Sequence, residues 1–150
     1  MNQTIVIEKT YPYSPEEVWD ALTDVEQMGE WLMQGNFKPL VGHSFQFSYS
    51  MDGKSGTLDC KVLEVKKPHR LSYTWTWGSE DPMFAHGAGG STTVTYIIDP
   101  VAEGSKLRLE HSGFDSEKNA TAFQMLTGGW QHKLDAMLPA AIEKRQKVAA

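Results

Sequence analysis

His111 is the side chain in this 150-residue sequence best suited to chemistry. In the run Ser105 to His111, Leu107, Leu109 and His111 alternate with Lys106, Arg108 and Glu110, so strand parity turns the imidazole inward. An imidazole there, with a pKa near neutrality, could hold a ligand carbonyl or act as general acid or base. The plainer alternative is a core histidine bonded to a backbone carbonyl at the turn into the next element. Acid–base catalysis needs a second titrating group, and the inward positions offer no Asp or Glu, which counts against an enzyme. What they do offer is aromatic. Phe45, Phe47 and Tyr49 share a face in one run, and Leu71, Tyr73, Trp75 and Trp77 in another, with Leu58 and Cys60 between. Tyr49, Tyr73, Trp75, Trp77 and Trp130 each carry a polar tip that needs a partner once buried. Such groups around one space suit a pocket of apolar walls with a few oriented donors, although aromatic stripes are more often plain core.

Other chemistries find no support. There is no CxxC and no HExxH, and Cys60 has no histidine near it in sequence, so neither a metal nor a cofactor is expected. Cys60 reads as a small buried hydrophobe and excludes an internal disulfide. Gly89-Gly90 runs into a strand, and neither Gly-Gly pair is followed by the Lys and Ser/Thr of a phosphate loop. Lys plus Arg number 14 against 19 Asp plus Glu, a formal charge of -5, which argues against nucleic acid as a partner. No apolar run approaches the ~20 residues of a membrane span. Met1 to Thr10 lacks the pattern of a signal peptide, and the expected location is cytoplasmic.

The elements that must position these residues can be read in order. Thr4 to Tyr11 is rich in β-branched residues and predicts a strand ending at Pro12. Ser14-Pro15-Glu16-Glu17 is a helix start with a capping box and Pro at the first helical position. Asp24 caps a second short helix through Met28, ending near Gly29, and Trp31, Leu32 and Met33 follow. Asn36 to Leu40 predicts a short edge strand. His43 to Met51, Thr57 to Val65, His69 to Trp77, Ser91 to Ile98 and Ser105 to His111 are strands, the first two joined at Asp52-Gly53. The second of these switches parity near Leu63, which suggests a bulge. Gly78 to Gly90 is a long loop whose Met83 and Phe84 a merely solvated loop would not need. With His86 they are candidates for a lid over one end of a cavity. Ser112-Gly113-Phe114 leads into a helix from Ser116 to Lys147, with Phe123, Leu126, Trp130, Leu134, Met137, Leu138 and Ile142 on one face and Lys133 among the solvated positions. Gly128-Gly129 predicts either a break or a close backbone approach, and Pro139 a kink. Consecutive strands with short turns pair antiparallel, giving an α+β architecture with one helix over one sheet.

This order resembles the SRPBCC (START-like, Bet v-like) superfamily, through the run from Ser14 to Asp24 followed by Trp31. His111-Ser112-Gly113-Phe114, Gly128-Gly129-Trp130, Gly42 before an aromatic strand, and Pro68-His69-Arg70-Leu71 before Tyr73-Thr74-Trp75 are similar to its branch named after the activator of heat shock protein 90 ATPase. The resemblance spans the chain and implies a single START-like domain over residues 1–150. It implies the helix-grip fold, in which a curved antiparallel sheet with two short helices wraps around a long C-terminal helix. It also implies a cavity between sheet and helix for a small hydrophobic or amphipathic molecule such as a lipid, flavonoid or polyketide. The glycine pair would then leave room in that cavity. The expected ligand-binding set is Trp31, Phe47, Tyr49, Tyr73, Trp75, Trp77, His111, Phe114, Phe123, Trp130 and Leu134. Some superfamily members are cyclases or dehydratases, so a polyketide cyclase-like enzyme using His111 is an alternative. A module that stimulates a chaperone ATPase is another. A chaperone partner is not expected, because the co-chaperone's separate N-terminal domain has no counterpart in this sequence. An exposed edge strand could pair with a second copy, which allows a homodimer.

Overall fold

The computed structural model describes residues 2–85 and 87–149; His86, one of the expected lid residues, lies outside the described residues. β1 (Asn2–Tyr11) is followed by α1 (Pro15–Thr23) and α2 (Val25–Trp31). Then come β2 (Gln34–Gly35), β3 (Ser44–Met51), β4 (Lys54–Lys66), β5 (Arg70–Trp77), β6 (Gly90–Val101) and β7 (Gly104–Asp115). The chain ends in α3 (Ala120–His132), a π-helical turn (Lys133–Met137) and α4 (Leu138–Ala149), which form one continuous helix. The seven strands make one antiparallel sheet in the order β1-β7-β6-β5-β4-β3-β2. Its apolar face closes on the long helix, and α1 and α2 cover one end: this is the helix-grip fold.

The local signals explain most of these elements. Ser14 accepts from the Glu17 N–H and Glu17 reaches back to the Ser14 N–H, so the capping box is complete. Asp24 caps α2 through the Gln27 N–H, and α2 runs on to Trp31. Asp52-Gly53 turns β3 into β4 with both residues at positive φ. The β4 bulge falls between Val62 and Glu64.

Three expectations are corrected. Asn36 to Leu40 is not a strand. Pairing to β3 stops at Gly35, and the Asn36 side chain, instead of its backbone, accepts the Gln46 N–H at 2.9 Å. Gly113 is not a turn before the helix. β7 continues to Asp115, and Gly113, at φ +97°, is the extra residue where Gln3 faces Phe114 but Thr4 faces Ser112. That bulge puts His111 and Phe114 on the same face, with ring centroids 4.6 Å apart. The helix begins at Ala120, not Ser116, because the Asp115 carboxylate accepts the N–H groups of Glu117 and Lys118 and holds those residues in a turn.

The glycine pair does not break the helix, and no backbone approaches it. A Cβ on Gly128 or Gly129 would meet nothing within 4 Å. The disturbance expected at Pro139 lies one turn earlier. The Leu138 N–H donates to Lys133 O, five residues back, instead of to Leu134 O. The next donor that could reach Leu134 O would be that of Pro139, which has none. The hydroxyl of Tyr11, buried at the end of β1, fills the gap by donating to Leu134 O at 2.6 Å. A strand residue thus satisfies the carbonyl that the π turn exposes and fixes the helix along its axis.

Two substitutions test this account by urea denaturation. Tyr11→Phe should lower stability by about 1–3 kcal/mol, because a buried carbonyl loses its donor. Gly128→Ala should raise it by about 1 kcal/mol, the helix-propensity difference.

Candidate functional site

The inner face of the sheet is packed with aromatic rings, and one polar relay crosses it. The Trp130 indole N–H donates to His111 Nδ1 at 3.0 Å. That nitrogen is therefore the acceptor, and the ring proton sits on Nε2. Nε2–H donates to Thr92 Oγ1 at 2.7 Å, and Thr92 in turn donates to the Trp75 carbonyl at 2.8 Å. His111 is fully buried, and burial drives its pKa down to about 3. It is a satisfied core histidine, as the plainer reading had it, but bonded to side chains instead of a backbone carbonyl. Neither ring nitrogen is free for a substrate.

Most of the other polar tips are satisfied within the core. The hydroxyls of Tyr73 and Tyr96 bond each other at 2.7 Å. The indole of Trp31 donates to Ala21 O, and that of Trp77 to Ala88 O. Tyr49 donates to Asp81 Oδ1 at 2.5 Å, and the same oxygen accepts the N–H groups of Met83 and Phe84. This clasp ties the loop after β5 to β3. Gly56 faces Tyr49 across the β3–β4 pair, and a Cβ there would stand 2.3 Å from the tyrosine oxygen, so glycine is what lets the ring lie over β4. Trp75 differs: its Nε1 is buried and has no hydrogen-bond partner among the described residues.

The aromatic packing stops short of filling the grip at one end. A cavity of about 290 Å³ opens there between β3, β5, the loop after β5, the end of α2 and α3. Trp75 and Trp130 form its floor with Leu126, Phe84 and Leu32, all buried. Its rim carries Met33, Met83 and Met125, with Tyr49, Ser50, Gly129 and Lys133. Of the expected binding residues, Tyr49, Trp75 and Trp130 line this cavity, as do the loop residues Met83 and Phe84. Trp31, Phe47, Tyr73, Trp77, His111, Phe114 and Leu134 lie instead in the packed core, with Phe123 half-buried against it. Strand parity separates inside from outside but cannot tell the filled part of an interior from the empty part.

Lys133 was expected among solvated positions and is on the cavity rim. Leu126, Gly129, Trp130 and Lys133 follow the 0, 3, 4, 7 spacing of one helix face, so the signal was present in the sequence. Leu32, Met33 and Met125 carried no such signal. Among the described residues, no group of three or more His, Cys, Asp or Glu side chains could hold a metal ion, and no helix is long and apolar enough to cross a membrane.

The family described as Activator of Hsp90 ATPase homolog 1-like protein matches residues 12–143. Among solved structures, protein MLL2253 of Mesorhizobium loti is 35% identical, with 95% of this chain and 98% of that one covered at a TM-score of 0.83. Protein CV1439 of Chromobacterium violaceum is 21% identical, with 93% and 97% covered at a TM-score of 0.77. CalU16 of Micromonospora echinospora is 22% identical, with 97% and 80% covered at a TM-score of 0.66. The last two show the shared fold alone. No curated protein matches the chain.

The relay has a pH signature. A histidine of the unfolded chain titrates near 6.5, whereas folded His111 resists protonation down to about 3. Between those values the unfolded state binds a proton that the folded state does not. His111 therefore makes stability fall as pH drops through that window, by up to about 1.4 kcal/mol per pH unit. A ¹⁵N NMR titration should find the neutral Nε2–H tautomer of His111 down to about pH 4. A midpoint near the unperturbed value would mean that the relay is open to water.

Proposed function

The chain belongs to the Activator of Hsp90 ATPase homolog 1-like branch of the SRPBCC superfamily, and on that premise we propose that it binds a small hydrophobic or amphipathic molecule in the cavity between β3, β5 and α3. The carrying observation is the cavity itself: an apolar recess beside an otherwise filled aromatic core, with Trp75 and Trp130 in its wall. A stable protein loses packing energy around such a void, and a guest restores it.

Size narrows the guest. An apolar cavity of about 150 Å³ accepts benzene. The cavity here, about 290 Å³, is about twice that and suits on the order of a dozen non-hydrogen atoms, such as two fused rings or a medium alkyl chain. Methionines on the rim are pliant and can repack around larger lipid, flavonoid or polyketide-like guests. Catalysis through His111 draws no support from this geometry, since the residue is outside the cavity lining and both its nitrogens are engaged. Nothing at the cavity speaks for stimulation of a chaperone ATPase.

Gly129 offers a test that separates binding from folding. It lines the cavity, and a side chain there would enter open space. Gly129→Leu should weaken binding of naphthalene or 1-decanol, followed by tryptophan fluorescence, by about tenfold or more, while stability in urea holds or rises. Wild-type affinity in that variant would place the binding site elsewhere.

A further inference from the structure

The charge in the cavity lining is all of one sign. Lys133 is the one charged side chain in the lining. Its ammonium donates to Leu32 O at 3.3 Å, and among the described residues no carboxylate lies within 4 Å of it. Lys9, Lys66, Lys106 and Lys144, by contrast, all have carboxylate partners. Lys133 is half-buried, and desolvation lowers its pKa, so the surroundings leave its charge under-compensated. The Asp81 carboxylate, which holds the loop residues Met83 and Phe84, already accepts three hydrogen bonds. A guest that completes this site must bring acceptors and negative charge at one end, and an apolar body for Trp75, Trp130, Leu126 and Phe84.

Resting on the binding reading above, we propose that the guest is a carboxylate-bearing amphipath whose acidic head is held by Lys133, with its apolar body against the indoles of Trp75 and Trp130. A lysine on a desolvated rim gives a charge-assisted bond that an exposed lysine would not. It also discriminates, because a neutral head group can accept from the ammonium but brings no opposite charge to it. The formal charge of -5 repels anions at long range, so the selectivity is local to this site. With the cavity's size, the guest is a medium-chain fatty acid or an aryl carboxylate.

Decanoate and 1-decanol separate the two levels of the reading. By calorimetric titration, the wild-type protein should bind decanoate about tenfold or more tighter than 1-decanol. Lys133→Met should bring decanoate down to the level of the alcohol while leaving the alcohol unchanged, and Lys133→Arg should keep the preference. Equal affinity for acid and alcohol in the wild type, or a preference that survives Lys133→Met, would overturn the anion anchor and leave the cavity as an apolar binding site. Binding of neither compound would overturn the anchor and the proposed function together.

Discussion

The hydrogen bond from the Trp130 indole to His111 joins the long helix to the sheet it lies in, and the interior is arranged around it. A buried donor without a partner costs about 1–3 kcal/mol, so the position of Trp130 along the helix axis is constrained by one nitrogen on β7. The constraint passes outward. His111 must present Nδ1, so its proton goes to Thr92, and Thr92 closes the chain on the Trp75 carbonyl. The Gly113 bulge brings Phe114 against the imidazole. Three strands and one helix are locked by a relay that keeps its histidine neutral, and a fully satisfied relay is rigid.

That rigidity decides where space is left. Trp130 packs on Trp75 and Trp31, with centroids 5.6 and 6.3 Å away, and these rings fill the middle of the grip. Gly129, beside Trp130 and without a side chain, leaves the adjoining volume empty. At the far side Tyr11 anchors the π turn, where Pro139 cannot supply a donor, and Lys133 begins that turn on the cavity side. The Tyr49–Asp81 clasp holds Met83 at the rim and Phe84 on the floor. The cavity is therefore the unfilled end of a polar and aromatic lattice whose other members are fixed.

The fold was legible because its signals are local. The Ser14 capping box, the Asp52-Gly53 turn, the parity of the aromatic strands and the helical spacing from Phe123 to Ile142 each specify an element without help from a neighbour. What escaped depends on partners distant in sequence. Gly113 resembles a turn until β1 is paired beside it, and Asn36 resembles a strand residue until its side chain takes the ladder bond. The cavity lining was legible in part: Tyr49, Trp75, Trp130, Met83 and Phe84 belong to it. Phe47, Tyr73 and Trp77 share their parity and are core, because alternation carries face but not depth. Lys133 reads as solvated by its charge, although its spacing matches that of Trp130.

The most direct measurement is an NMR titration of protein labelled with ¹³C at the methionine methyl groups. Of the seven methionines, Met33, Met83 and Met125 ring the cavity, whereas Met28 is buried in the core and Met137 lies away from the lining. A small apolar guest should shift the three rim signals together and saturably, and leave those of Met28 and Met137 in place. Saturable shifts confined to other methionines, or no shift at any concentration of guest, would contradict a binding site at the open end of the grip.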